Sequence, residues 1–173
     1  MADYIRRVVD DELDDLSHSL PAIALEGPKG VGKTATALQR AKTVYRLDDP
    51  DRRAILEADP SRVLGGVPPV LIDEWQKVPD TWDLVRRAVD DGAEPGRYLL
   101  TGSAAPSGLA THSGAGRIVT VRMRPLALSE RGLESPTVSL RQLLSGRRGP
   151  VQASISSAMP TRSFVLASQD CAT

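Results

Sequence analysis

The chain has 173 residues, of which 22 are basic (Lys and Arg) and 22 acidic (Asp and Glu), so its formal net charge is zero. A neutral chain has no global attraction to nucleic acid or to an anionic membrane, and this length suffices for one domain with a core. The single cysteine excludes an intrachain disulfide, no apolar run approaches the roughly 20 residues of a bilayer span, and the N-terminus lacks a signal-peptide core, so we expect a cytoplasmic protein without a membrane partner.

The first part of the chain predicts helices and strands in alternation. Residues 3–20 carry apolar side chains at helical spacing and an acidic run, which together are typical of an amphipathic helix with one solvated face. The short apolar run 22–26 predicts a strand buried on both faces. Helix formers over residues 32–42 and a β-type run over residues 43–47 follow, so a helix and a second strand are expected there.

The alternation continues further along the chain. Residues 51–64 look helical, residues 70–72 predict a third strand, and Pro79 opens another helix that should stop near Gly92. The remaining predicted elements are a fourth strand over residues 97–100, a loop of small residues to about residue 116, and a fifth strand over residues 117–121. Strands that alternate with helices in this way indicate right-handed crossovers and a parallel sheet, so the predicted fold class is α/β.

The last part of the chain has a different composition. Residues 150–173 contain five serines and two charged residues, and no helical or strand period is sustained there. Such a composition is typical of disorder. We therefore expect a folded domain over residues 1–132 and, over residues 133–173, a partly helical and then disordered tail, interpreted as a truncated or frame-shifted remnant.

A glycine-rich turn follows the first predicted strand and matches the P-loop pattern G-x-x-x-x-G-K-T at every position. It consists of Gly27, Pro28, Lys29, Gly30, Val31, Gly32, Lys33 and Thr34. The glycines of such a loop let backbone N–H groups surround phosphate oxygens. Lys33 is expected to meet the β and γ phosphates, and the Thr34 hydroxyl is expected to ligate Mg²⁺. The loop lies between a strand and a helix, so it predicts binding of a nucleoside triphosphate with magnesium.

Two acids end the third predicted strand. Asp73 and Glu74 follow the apolar residues 70–72, and Asp73 lies 40 residues after Lys33. Ligands collect at the carboxyl ends of parallel strands, so we expect Asp73 to face the P-loop and hold the metal, usually through water. Glu74 is placed to polarise a water for attack on the γ-phosphate. A glutamate in this place favours hydrolysis of the nucleotide over transfer to a small molecule.

Three further residues are candidates for the same reaction. Thr101 and Ser103 end the fourth predicted strand, where either could contact the attacking water or the γ-phosphate, although an ordinary strand-to-loop turn explains them equally well. Arg117 follows a Gly-Ala-Gly stretch that could present it to the γ-phosphate, in the same subunit or from a neighbouring one. An arginine in that position stabilises the charge of the transition state.

The order of these motifs resembles a group of bacterial and archaeal AAA-type P-loop ATPases. The segments that carry the resemblance are GPKGVGKT, VLIDEWQ, RYLLTGSA and GAGRIVTVRMRPLALSE, within roughly residues 4–132. The resemblance implies a three-layer αβα P-loop NTPase fold with a five-stranded parallel sheet of the additional-strand type, in which another strand separates the Asp-Glu strand from the P-loop strand. It also implies a C-terminal domain of unknown function, which is expected to be missing here, and ATP as the nucleotide.

Three functions remain open at this point. The leading hypothesis is Mg-dependent ATP hydrolysis coupled to a conformational change in an unknown partner. The alternative is a nucleotide-binding switch or remnant that binds ATP without appreciable hydrolysis. A small-molecule kinase needs an acceptor pocket and a basic lid, and neither is evident in the sequence. The absence of asparagine rules out the guanine-reading N-K-x-D motif and favours ATP, whereas a protein or nucleic-acid client and assembly into a homo-oligomer are left open.

Overall fold

The computed structural model of the chain describes residues 4–103 and 116–127, together with Glu130, Arg141 and residues 144–146. The helices and strands among these residues are α1 Val8–Ser17, β1 Ala22–Glu26, α2 Lys33–Leu38, β2 Thr43–Arg46, α3 Pro50–Ala58, β3 Val70–Asp73, α4 Asp80–Asp90, β4 Tyr98–Gly102 and β5 Val119–Arg122. Two 3-10 turns, Pro60–Leu64 and Trp75–Lys77, follow α3 and β3. None of the described helices combines the length and apolarity that a membrane span requires.

The chain divides into two compact units, Met1–Leu133 and Glu134–Thr173. All the strands and helices named above belong to the first unit. In the second, the Ser145 N–H donates to the Arg141 carbonyl over 3.0 Å. The predicted domain boundary after residue 132 stays a prediction. The predicted loop of small residues over 104–115 and most of the predicted tail over 133–173 lie outside the described residues.

The five strands form one parallel sheet in the order β2-β3-β4-β1-β5. Strand β4 therefore lies between β1, which leads into the P-loop, and β3, which ends in Asp73. In register, Leu100 of β4 lies opposite Ala24 of β1 on one side and Ile72 of β3 on the other. This order confirms the predicted α/β class and the additional-strand arrangement.

Alternate residues of the strands face two separate core layers, because successive side chains of a strand point to opposite faces of the sheet. On one face β1 contributes Ile23 and Leu25, which pack with Leu13 of α1 and Ala37 of α2. On the other face Ala22 and Ala24 pack in the layer that α3 and α4 cover. The buried residues of this second layer include Leu47, Leu56, Val63, Val70, Ile72, Trp75, Trp82, Val85, Tyr98 and Leu100. Helices thus cover both faces of the sheet.

The observed helices are shorter than the predicted ones. The predicted helix over residues 51–64 is divided at Pro60, which has no N–H to continue a helix and restricts the residue before it. Asp59 begins the following 3-10 turn and accepts a hydrogen bond from the Ser61 N–H over 3.2 Å. Helix α2 ends at Leu38 rather than near residue 42, and α1 begins at Val8.

The acidic run on α1 is only partly solvated, contrary to the interpretation of the sequence. The side chain of Asp10 is buried and lies 2.7 Å from Nη1 of Arg40, and Asp14 lies 2.6 Å from Nη2 of the same guanidinium. The Tyr4 hydroxyl also donates to Asp10 over 2.6 Å. Because Arg40 lies two residues after the end of α2, these ion pairs connect α1 to the helix that begins at the P-loop.

Candidate functional site

The P-loop connects the end of β1 to the start of α2. A Cβ atom on Gly27 would lie 2.4 Å from the carbonyl oxygen of Met123, so only glycine allows the loop to pass this close to the segment after β5. Gly32 has a φ of 101°, in the left-handed region that favours glycine. Gly27 is therefore required for the close approach of the loop to Met123, and Gly32 for the backbone conformation at the start of α2.

The Lys33 side chain folds over the loop that precedes it. Its ammonium group donates hydrogen bonds to the carbonyl oxygens of Gly27, at 2.9 Å, and of Pro28, at 3.0 Å, and the residue is only 6% exposed. A buried ammonium needs such partners, because an unpaired charge in a poorly solvated place is unfavourable. The contacts hold a positive charge against the loop whose amides are expected to surround phosphate.

The Thr34 hydroxyl and the Asp73 carboxylate meet across the carboxyl edge of the sheet. Thr34 Oγ1 donates to Asp73 Oδ1 over 2.7 Å, and the hydroxyl of Thr101 donates to the same carboxylate oxygen. Thr101 can do this because it lies on β4, directly opposite Asp73 of β3. Hydroxyl and carboxylate oxygens are the ligands that Mg²⁺ prefers, so Thr34 and Asp73 fit a magnesium ion that also contacts nucleotide phosphates.

Glu74 has an unusual backbone conformation for a residue with a side chain. Its φ of 59° and ψ of 45° lie in the left-handed region, and its N–H donates to Thr101 Oγ1 over 3.4 Å. Conformations of this kind are unfavourable by about 1–3 kcal/mol for most residues and occur often at functional sites. Here the conformation turns the chain from β3 into the Trp75–Lys77 turn immediately after the Asp73 carboxylate.

Gln76 joins Glu74 to Ser103, and sequence reasoning missed it. The Gln76 amide nitrogen donates to Glu74 Oε2 and to Ser103 Oγ, the latter over 3.3 Å. A Cβ on Gly102 would lie 2.5 Å from Gln76 Oε1, so this glycine leaves room for the amide. The sequence gives one signal for Gln76, which is its position two residues after Glu74. Its contact with Ser103 could not be predicted, because that contact depends on the register of β3 against β4.

The structure places Arg117 away from this site, and its predicted contact with a γ-phosphate, in the same subunit or from a neighbouring one, stays a prediction. Arg117 precedes β5, so it lies at the amino edge of the parallel sheet, whereas the P-loop, Asp73 and Ser103 lie at the carboxyl edge. Its Nε is 2.7 Å from Asp90 Oδ1, at the end of α4. A residue that begins a parallel strand is separated from the opposite edge by the length of that strand.

The N-terminal segment borders the P-loop on another side. A cleft of about 420 Å³ lies between this segment, the loop and the start of α2. The residues that line it include Tyr4, Ile5, Gly30, Ala35, Gln39 and Leu126. Apolar and polar groups therefore converge next to the phosphate loop, as they do in sites for small organic ligands.

Glu130 is the last residue of the segment GAGRIVTVRMRPLALSE, and its buried carboxylate accepts several hydrogen bonds. It accepts from the N–H groups of Val8, at 2.6 Å, and Ala127, at 2.5 Å, and from Arg7 Nε at 3.0 Å. Burial tends to raise the pKa of Glu130, but these hydrogen bonds and the positive charge of Arg7 outweigh it and hold the pKa below its ordinary value. The carboxylate thus stays charged beside the start of α1.

Comparison with known proteins agrees with this geometry. Residues 19–131 match the family described as AAA domain. Over 122 residues the chain is 34% identical to an uncharacterised protein of Mycobacterium tuberculosis and, to the same extent, to one of Mycobacterium bovis. The alignment covers 66% of this chain but only 27% of each relative, so the chain spans about a quarter of the length of the curated relatives it matches. With its P-loop, its parallel sheet and this match, the chain belongs to the AAA domain family of P-loop ATPases and carries a nucleotide-binding, ATPase-like domain.

Proposed function

We propose that this domain binds ATP with Mg²⁺ at the P-loop and hydrolyses the bond between its β and γ phosphates. The observation that carries the proposal is the meeting of Thr34, Asp73 and Thr101 beside Glu74. In this scheme Lys33 and the loop amides hold the phosphates, and Thr34 and Asp73 hold the metal, which supplies positive charge to the reacting phosphate.

Glu74 is proposed as the general base. Its carboxylate takes a proton from a water as the water oxygen bonds to the γ-phosphorus, and the bond to the β–γ bridging oxygen breaks. The products are ADP and phosphate. Ser103, joined to Glu74 through Gln76, is proposed to contact the γ-phosphate or the attacking water, while Thr101 orients Asp73 and the backbone of Glu74.

The cleft beside the loop is proposed to hold the base of the nucleotide. It is formed by the segment before α1, the loop and the start of α2, so a triphosphate bound by the loop has its nucleoside end within reach. The flat apolar faces of a base suit Ile5 and Leu126, and Tyr4 and Gln39 offer polar groups to its edges. The choice of adenine follows the family to which the chain belongs.

A second function is favoured by one contact. Gln76 donates to the Glu74 carboxylate, so the proposed base is already engaged in the structure as it stands. A domain in which this contact held the Glu74 carboxylate away from the attacking water after nucleotide binding would act as a switch that binds ATP without turnover. Coupling of either function to a conformational change in an unknown partner is part of the proposal.

The test combines binding and turnover in two variants and a matched control. Lys33→Ala should weaken Mg-ATP binding by about 100-fold, because it removes a buried charge that meets phosphate. Lys29→Ala, which removes the exposed lysine of the same loop, should leave binding nearly unchanged. Undiminished Mg-ATP affinity in the Lys33 variant would refute the site.

Glu74→Gln separates the two functions. It should keep Mg-ATP affinity but lower steady-state phosphate release by about 100-fold or more, the usual contribution of a general base. If the unaltered protein binds Mg-ATP tightly and releases no phosphate, the hydrolase proposal fails and the switch remains.

A further inference from the structure

Arg7 is a buried arginine that contacts the P-loop from outside the motif. Its side chain is 8% exposed and donates three ways: Nη1 to the Val31 carbonyl over 2.8 Å, Nη2 to the Arg124 carbonyl over 2.9 Å, and Nε to Glu130 over 3.0 Å. Its neighbour Arg6 is 63% exposed and pairs with Asp11 and Asp14 of α1. The two adjacent arginines therefore have different roles.

The contact with Val31 fixes the direction of one peptide group. The Val31–Gly32 peptide is planar and trans, so its C=O and N–H point in opposite directions. Arg7 holds the C=O on its own side of the loop, and the Gly32 N–H is therefore directed away from Arg7. Within the described part of the chain this N–H has no hydrogen-bond acceptor.

The peptide needs such a restraint because glycine follows it. Gly32 has a φ of 101°, and a residue without Cβ can exchange this conformation for others at little steric expense. A rotation of the Val31–Gly32 peptide would turn the N–H away from the phosphates. The hydrogen bond from Arg7 to the Val31 carbonyl opposes that rotation as long as the guanidinium is held in place. Glu130 holds the guanidinium, and two backbone N–H groups in turn hold the Glu130 carboxylate.

We infer that Arg7 is a positioning residue of the phosphate site, which acts by aiming the Gly32 N–H at a bound phosphate and is itself held by Glu130. The inference rests on the proposed function, because it needs phosphate in the loop. It adds a residue that lies 20 positions before the P-loop motif and belongs to no recognised part of it.

The experiment measures affinity for two probes, Mg-ATP and inorganic tripolyphosphate, which has the phosphates but no base. Arg7→Lys and Arg7→Gln should each weaken both probes by about tenfold, the size expected for a lost hydrogen bond to a charged ligand. Lysine keeps the positive charge but has a single nitrogen, which cannot reach the three separate acceptors of Arg7. If only the charge of Arg7 mattered, Arg7→Lys would bind both probes with nearly full affinity. Arg6→Gln is the matched control and should leave both affinities unchanged.

The outcomes separate the competing roles. A loss of affinity for Mg-ATP but not for tripolyphosphate would overturn the inference. It would assign Arg7 to the cleft that is proposed to hold the base, which Arg7 also borders. Unchanged affinity for both probes, with binding lost in Lys33→Ala, would overturn the inference and leave the proposed function standing. Undiminished binding of both probes in Lys33→Ala would refute both the inference and the proposed function.

A measurement on the unaltered protein covers the case in which the Arg7 variants do not fold. In ¹⁵N-labelled protein the Gly32 amide signal should shift on addition of tripolyphosphate. Glu130→Gln, which leaves Arg7 in place but removes its charged partner, should weaken tripolyphosphate binding by about threefold, less than the Arg7 variants. A Gly32 signal that does not respond to saturating tripolyphosphate would overturn the inference without any substitution.

Discussion

The hydroxyl of Thr34 donates a hydrogen bond of 2.7 Å to the carboxylate of Asp73, 39 residues further along the chain. The two residues meet because β1 delivers the P-loop, and β3 delivers Asp73, to the same edge of the sheet. Strand β4, which separates them, contributes Thr101 to the same carboxylate oxygen. The fold thus assembles the proposed metal site from three strands.

Removal of the Thr34 hydroxyl should abolish the dependence of ATP binding on magnesium. Thr34→Val keeps the shape of the side chain but removes the oxygen that would ligate the metal, so its ATP affinity should be the same with Mg²⁺ and with EDTA. Thr34→Ser retains the oxygen and should behave like the unaltered protein. Titration of each protein with ATP in both buffers measures this, and full magnesium dependence in Thr34→Val would exclude the hydroxyl as a ligand.

Much of this arrangement could be predicted from the sequence. The P-loop and the Asp-Glu pair are contiguous motifs, and parallel strands bring their ends together, so the proximity of Thr34 and Asp73 followed from topology. The contacts of Gln76 could not be predicted, because they depend on the register of β3 against β4 and on the absence of a side chain at Gly102. The position of Arg117 also follows from topology, because a residue that precedes a parallel strand lies at the amino edge of the sheet, away from the P-loop.

The burial of charged side chains also could not be predicted from the sequence. Asp10 and Arg7 lie in a segment where nearly every second residue is charged, and the charge pattern alone predicts a solvated helix face. Their burial depends on Arg40 and Glu130, which are 30 and 123 residues away in the chain. No local period identifies partners at such separations.

Loss of the Gln76 amide should reduce turnover without a change in nucleotide binding. Gln76→Ala leaves the Glu74 carboxylate without the group that orients it, and misplacement of a reacting group lowers kcat, here by about tenfold. Gln76→Glu places a like charge against Glu74 and should reduce kcat further. Phosphate release at saturating Mg-ATP gives kcat, and an ATP titration provides the control. An increase in kcat for Gln76→Ala would mean that the contact restrains Glu74 instead of positioning it.

Acid should destabilise the domain through Asp10. Burial tends to raise the pKa of Asp10, but the Tyr4 hydroxyl, the Arg7 N–H and the Arg40 guanidinium outweigh it, and the pKa is below its ordinary value. A carboxyl with a lowered folded-state pKa stabilises the fold fully above its unfolded pKa of about 3.9, and this stabilisation is lost as the pH falls through the folded-state value. Asp14 and Glu130 have pKa values lowered in the same direction.

The Asp10 contribution can be measured with a matched pair of variants. Asp10→Asn should lower the free energy of unfolding by about 2 kcal/mol at pH 7, as expected for lost hydrogen bonds to charged groups, and should flatten its decline below pH 4. Asp11→Asn alters an 80% exposed neighbour and should stay within about 0.5 kcal/mol of the unaltered protein. Denaturant unfolding between pH 3 and 7 is the measurement, and equal pH profiles for the two variants would contradict the assignment.

Substitution of Arg117 should leave nucleotide binding and turnover unchanged. Its guanidinium pairs with Asp90 at the amino edge of the sheet, a half-exposed ion pair whose loss should cost about 1 kcal/mol of stability or less. Asp90→Ala removes this pair and also the ion pair of Asp90 with Arg86, so it should destabilise the domain at least as much as Arg117→Ala while ATP hydrolysis keeps the same rate in both variants. A fall in kcat for Arg117→Ala alone would show that the arginine acts beyond this pair. Because Arg117 lies at the edge of the sheet opposite the P-loop of its own subunit, such a fall should then vary with protein concentration, as a residue donated by a neighbouring copy requires.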